Sequence, residues 1–316
     1  ETSLSCYTDT LDTVQAAAEG GCRRIYYEPA ISRTCGGGAL ASRRTGGEDA
    51  GPLLEALRQA ADLAASADTE LVWKWPRITR QRFLDAVLPL LPQVYEAGVH
   101  GVMVEGIGLA EAVIAAEPRM SVSGGSGLNV WNHCTAERLS PPMERLTLSP
   151  ELSMDAIRDL VQILHDRGKT ISLEMLVQGN LEAMVTEDCI PCTAGTVISG
   201  SGSESWTIRD ERDRQFPLLL DAECRTHIFN AVELCLLDHM PNLSTLGLSG
   251  IAIDARGRTA LYAREMTGLY KWAIECTTKK APGWRDTLLS MKDEAKKISL
   301  GGITTGHFLR GLKEEE

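Results

Sequence analysis

The chain has 316 residues, 43% of them hydrophobic and 24% charged, which is enough to bury a large core and excludes a small stapled scaffold. Its formal net charge of -11 argues against holding a polyanion through the overall field and leaves only a local basic groove for such a partner. No uncharged apolar run of about 18 residues and no basic segment leading into an apolar one occurs, so neither a membrane span nor a signal peptide is expected.

Short apolar or β-branched runs at 3–7, 24–28, 70–75, 101–105, 121–129, 145–149, 170–176 and 250–254 predict eight strands. Segments such as GPLLEALRQAADLAASA, SMDAIRDLVQILHDRG and RTALYAREMTGLYKWAIEC lie between or after them, with apolar residues at three- and four-residue intervals. Several begin behind Ser, Thr or Asp, as capped helices do. This alternation predicts a (β/α)8 barrel as one domain over 1–316, with an open doubly wound sheet as the other arrangement. A polar stretch rich in Gly, Ser and Thr opens a long cysteine-containing insertion, about 177–235, between the last two strands. Its length points to function. The first residue is Glu1 rather than Met, and a fragment of a longer polypeptide is expected.

Barrel enzymes carry their chemistry at the C-terminal strand ends. The residues there are Glu28, Lys74, Glu105, Asn129, Asn132, Ser149, Glu151, Gln178, Asp254 and Arg256. Nine cysteines, most of them single, lack the spacing of a secreted disulfide framework and predict a reducing, cytoplasmic setting. Cys189 and Cys192 form a C-x-x-C pair after the seventh strand, and Cys224 and Cys235 follow in the same connection. These four thiols are candidate ligands for zinc or a four-iron cluster, and the spacing does not choose between them or exclude unliganded buried cysteines. His227 and His239 are close to them in sequence. His227 is a candidate proton donor, and His239 is expected to be structural.

Glu174 falls inside a strand, where a carboxylate is costly unless an arginine meets it or it serves as an acid/base. Arg256 and Arg258, in DARGR after the last strand, are candidates for binding an anionic group, against the alternative of a rim ion pair with Asp254. Arg33, Arg43 and Arg44, in TCGGGALASRRTGG, belong either to a phosphate-wrapping segment or to a loop. Neither HExxH nor a Gly-x-Ser-x-Gly elbow is present. A Cys134–His133 pair is the candidate nucleophile for peptide hydrolysis.

The segment LEMLVQGNLEAMVTEDC resembles the signature of the U32 peptidase family, as do FPLLLDAECRTHIFNAVELCLLDHMPNL, GLSGIAIDARGR, GLNVWN and TTGHFLRG. The resemblance implies a TIM-like barrel and, from several members, a [4Fe-4S] cluster on four cysteines. It also implies hydroxylation of RNA bases or of small aromatic precursors, or else collagenase-like proteolysis. Cys189 and Cys235 match family cysteines, whereas Glu182 stands where the family has its first signature cysteine. Asn129 and Asn132 match a family block as substrate-binding candidates. Expected partners are a small anionic metabolite or RNA, no membrane, and the remainder of a longer chain. A non-catalytic barrel that binds such a partner is the third class.

Overall fold

The computed structural model describes residues 2–29, 51–195, 206–221, 223–280 and 282–312. Strands β1 (Ser3–Thr8), β2 (Arg24–Tyr27), β3 (Glu70–Lys74), β4 (Gly101–Val104), β5 (Ser121–Gly124), β6 (Arg145–Thr147) and β7 (Ser172–Gly179) pair in parallel, each with the next. Four insertion strands follow, β8 (Glu182–Thr186), β9 (Trp206–Arg209), β10 (Gln215–Leu220) and β11 (Thr226–Phe229). The remaining strands are β12 (Glu233–Cys235), β13 (Gly250–Asp254) and β14 (Ile303–Thr304). Strand β13 sets Ile251 opposite Met175 of β7 on one side and Leu4 of β1 on the other, which closes an eight-stranded parallel barrel. The fold is the (β/α)8 barrel that the pattern predicts.

Helices α1 (Leu11–Glu19), α2 (Gly51–Ser66), α3 (Gln81–Val87), α4 (Leu91–Glu96), α5 (Ile107–Ala116), α6 (His133–Leu139) and α7 (Met154–Asp166) connect the first seven strands. The short α8 (Ile190–Thr193) lies in the insertion and α9 (Met240–Leu243) before β13, while α10 (Ala260–Lys279) and α11 (Trp284–Ile298) follow it. In α7 the Ser153 hydroxyl accepts from the Ala156 N–H, and the three- and four-residue spacing buries Ile157, Leu160 and Leu164 against the sheet. Thr259 caps α10 in the same way through Tyr262.

The insertion departs from its expected irregularity. It forms a four-stranded antiparallel sheet in the order β8-β11-β10-β9. In β9, half-buried Trp206 and Ile208 alternate with exposed Thr207 and Arg209, a period of two too short to stand out beside the Gly/Ser run. Pro217 within β10, which has no N–H for the ladder, masks that strand as well. A second departure is AVELCLLDHM, whose apolar run looks helical. It instead supplies β12, a 3-10 turn over Leu237–His239 and the start of α9. Leu234 pairs with Gly179 of β7, a position with φ +119° where an added Cβ would lie 2.5 Å from the Asp254 carbonyl oxygen.

Inside the barrel, Glu174 is wholly buried, and its Oε2 accepts from Ser5 Oγ at 2.6 Å and Arg145 Nη1 at 3.1 Å. The carboxylate on the seventh strand has met its arginine. Because removing one member of a buried pair strands the other charge, Arg145→Ala should cost about 3–5 kcal/mol. Denaturant unfolding of the variant checks this, and a change below about 1 kcal/mol would show that the pair carries no net stabilisation.

Candidate active site at the barrel mouth

The C-terminal strand ends bring opposite charges together in little space. Lys74, at the end of β3 and 3% exposed, places Nζ 2.9 Å from Glu28 Oε2, 3.7 Å from Glu105 Oε1 and 3.2 Å from the Trp75 carbonyl oxygen. Arg256 reaches Asp254 Oδ2 at 2.7 Å and Glu28 Oε2 at 2.9 Å. Burial alone would raise the Glu28 carboxyl, but Lys74 and then Arg256 outweigh it and hold the group below the usual carboxylate range. Glu105 Oε2 accepts from the Gly127 N–H at 2.5 Å.

The insertion roofs this mouth. Asp221, Leu219, Leu220 and His227 come from β10, β11 and the turn between them, and together with Asp9, Glu28, Lys74, Arg256, Trp73 and Phe83 they line a cavity of about 60 Å³. Phe83 packs edge-on against Trp75, with centroids 5.3 Å apart. His227 lies between two acids, with Nδ1 2.7 Å from Glu182 Oε2 and Nε2 3.6 Å from Asp221 Oδ2. Burial would lower the imidazole pKa, yet Asp221 and Glu182 outweigh burial and raise it. The Glu182 carboxyl, despite burial, is pulled down to about 2 by His227, Arg256 and Arg77. Three arginines around α3 tie the roof to the barrel: Arg77 to Glu182 at 3.1 Å, Arg80 to Glu187 at 2.7 Å and Arg82 to Glu223 at 2.7 Å.

Beside the roof, the Sγ atoms of Cys189, Cys192 and Cys224 all lie within 4.8 Å of one another. Local structure explains the convergence. The Ile190 N–H bonds to Thr226 Oγ1 at 3.0 Å, fastening α8 to β11, while the Cys224 N–H bonds to the Asp221 carbonyl at 2.9 Å and shapes the β10–β11 turn. Cys224 takes φ +62° there. Three half-buried thiols at this separation suit a soft metal or an iron-sulfur cluster, so the donor set fits the cofactor class that the resemblance implies.

The fourth expected ligand is elsewhere. Cys235 sits on β12 opposite Gln178, 1% exposed, outside the three-thiol group, and burial pushes its thiol up against opposing hydrogen bonds from Leu237 and Tyr270. The apolar run that resembled a helix is a strand pinned to β7, which holds Cys235 in the core. Glu174 is likewise inside the barrel, not on the cavity wall. Arg258 is engaged by Glu233, by Asn180 Oδ1 at 3.3 Å and by the Ile298 carbonyl at 3.0 Å. Asn132 caps α6 by accepting from the Thr135 N–H at 2.9 Å, and exposed Asn129 takes the left-handed conformation at φ +50°. His239 pairs with Asp238 at 3.8 Å and packs on Phe308. Arg33, Arg43, Arg44 and Cys35 lie outside the described residues.

Among the expected residues, the mouth therefore unites His227, Arg256, Glu28 and Lys74. Asp9, Asp221 and Glu182 join them as cavity or supporting groups that reading the strand ends missed. Asp9 directly follows β1 and was within reach of that reading. Asp221 follows a strand in the insertion that the pattern did not reveal.

The model of peptidase family U32 matches residues 9–316. The chain belongs to this family. A relative in Methanocaldococcus jannaschii, "Uncharacterized protease MJ0090", is 23% identical over 239 residues, covering 73% of this chain and 57% of the relative. "tRNA hydroxylation protein P2" of Bacillus subtilis is 28% identical over 98 residues, 29% of this chain and 31% of that protein. The chain thus matches little more than half the length of the first relative and a third of the second. Among solved structures, thiamine phosphate pyrophosphorylase from Pyrococcus furiosus aligns with a TM-score of 0.41 at 12% identity, covering 94% of this chain and 96% of that one. A tryptophan synthase complex from Pyrococcus furiosus aligns at 0.44 and 12%, covering 94% and 98%. No described helix is long and apolar enough to cross a membrane.

The acid pair around His227 has a measurable signature. Because the folded imidazole pKa is raised, its contribution to stability is full below the unfolded value near 6.5 and is lost as pH rises through the folded value. Glu182→Gln removes one of the three raising acids and should move the His227 pKa down, as read by NMR titration of the imidazole. An unchanged pKa would show that Asp221 and Glu28 set it without Glu182.

Proposed function

We propose that this U32 chain is a metal-dependent modifying enzyme whose Cys189, Cys192 and Cys224 hold a [4Fe-4S] cluster, with zinc as the alternative occupant. Its proposed substrate is an RNA base, or a small aromatic or anionic molecule, whose reacting end enters the mouth cavity and is hydroxylated, with an oxygen donor as the co-substrate that is reduced. The mutual approach of the three thiols beside the cavity roof carries this reading. The name of the Bacillus subtilis relative supports the choice of reaction. A cluster on these thiolates would supply redox capacity or Lewis acidity that the surrounding side chains lack.

The chain's own groups do the rest. His227, held between Glu182 and Asp221, keeps a proton at the cavity wall, and Trp73, Phe83, Leu219 and Leu220 exclude water from it. Arg256 is committed to Asp254 and Glu28, so its role in this reading is to hold the rim in register, not to grip an anion. A metal held by these three thiolates would accept a further ligand, as catalytic metal sites commonly do.

Anaerobic purification followed by iron, acid-labile sulfide and zinc analysis tests the proposal. Iron and sulfide in near-equal amounts are expected, lost in Cys189→Ala and Cys224→Ala and retained in Cys235→Ala. Zinc without sulfide would replace the cluster by the alternative metal, and a metal-free protein would overturn the reading. For the substrate, nucleoside mass spectrometry of cellular RNA with and without this chain should show a hydroxylated base that depends on it.

Proteolysis is favoured by one observation, Cys134 Sγ lying 3.3 Å from His133 Nε2 at the exposed start of α6, away from the cavity. If that pair were catalytic, peptide hydrolysis would vanish in Cys134→Ser whatever the metal content. Unchanged hydrolysis in Cys134→Ser would remove that reading.

A further inference from the structure

The cavity presents a buried acceptor that the charge network leaves unused. Asp9 lines it, is 7% exposed and uses Oδ2 to accept from the Gly257 N–H at 2.8 Å. Its Oδ1 is buried and has no hydrogen-bond partner among the described residues. An unmet buried carboxylate oxygen is destabilising. The three basic side chains on the same wall do not relieve it by a hydrogen bond. Lys74 is turned to Glu28 and Glu105, Arg256 to Asp254 and Glu28, and His227 Nδ1 to Glu182, while His227 Nε2, 3.6 Å from Asp221, has no hydrogen-bond partner among the described residues.

Asp9 Oδ1 is thus an unmet acceptor on the cavity wall, beside His227 Nε2 as the other unmet polar atom there, and a ligand that satisfies Asp9 must bring a donor. We propose that the barrel-mouth cavity receives an N–H group of its ligand, with Asp9 Oδ1 as the acceptor and the apolar faces of Trp73, Phe83, Leu219 and Leu220 around the group that carries it. At about 60 Å³ the cavity takes the end of a ligand, a few non-hydrogen atoms, and leaves the bulk outside. A carboxylate or phosphate end would place its charge against an acceptor that needs a donor. The inference deepens the proposed function and rests on it only in taking this cavity as the substrate-binding end.

The acceptor titrates in a useful range. Burial raises Asp9 to about 6, against the lowering effect of the Gly257 N–H and Arg256, with Asp254 and Glu28 raising it further. Tyr27 and Cys6 also face it. An N–H donor stabilises the ionised form, so its binding should be strong above pH 6 and fall below it. A bound carboxylate would do the reverse, since it favours a protonated Asp9.

Acetamide, ethylammonium and acetate have similar size and separate these cases. Each is titrated into the full chain, with metal content recorded, while NMR follows the Gly257 amide and the His227 imidazole. Acetamide or ethylammonium should shift both signals at pH 7.5 and bind more weakly at pH 5, by up to about tenfold with Asp9 titrating at about 6. Which of the two binds more tightly tells a neutral N–H from a cationic one.

Asp9→Asn turns an amide N–H toward the cavity if its oxygen keeps the Gly257 bond, and should weaken binding at least tenfold and abolish the pH dependence. Should that variant misfold, Leu220→Trp, which fills the cavity, gives the same loss. Preferential binding of acetate, strengthened at pH 5, would overturn the inference, as would no response to any of the three. Binding of acetamide or ethylammonium to a metal-free protein would leave this inference standing while the metal reading fell.

Discussion

Everything at the mouth depends on barrel closure by β13. Because Ile251 pairs with Met175 on one side and Leu4 on the other, the C-terminal ends of β1, β2, β3 and β13 converge. Asp9, Glu28, Lys74, Asp254 and Arg256 then share one small space. In a sheet opened between β1 and β13, Asp254 and Arg256 would lie far from Glu28 and that half of the network would be lost. The closure also accounts for the charge pattern, since a lysine this buried is tolerable only with carboxylates beside it.

The insertion supplies the second half of the site. Its antiparallel sheet turns a polar, glycine-rich connection into a roof, clipped to the α3 region by three arginine–glutamate pairs. Two consequences follow from the β10–β11 turn. Its residues place Asp221 and His227 over the cavity, and the same turn brings Cys224 to the C-x-x-C pair. The three thiols and the cavity wall thus both depend on one small sheet, so displacement of the roof would disturb both.

Glu182 supports the site electrostatically. Its carboxylate is bound to His227 and Arg77. A thiol at that place could not hold the imidazole by a charge-assisted bond of 2.7 Å. The position serves as an electrostatic support beside the group formed by Cys189, Cys192 and Cys224.

By itself the sequence determined the eight barrel strands, the helices between them and the polar strand ends, because each follows from local periodicity within a window of a few residues. Family membership was legible too, through blocks spread over nearly the whole chain. Tertiary structure alone decided which thiols meet. Spacing treats Cys224 and Cys235 alike, yet a tight turn carries the first to the C-x-x-C pair, and pairing with β7 buries the second in the core. It also decided that Glu174 meets Arg145 inside the barrel, that Arg258 meets Glu233, and that Asp9 keeps an unused acceptor at the mouth. These outcomes depend on contacts between residues far apart in the chain, and local pattern carries no record of them.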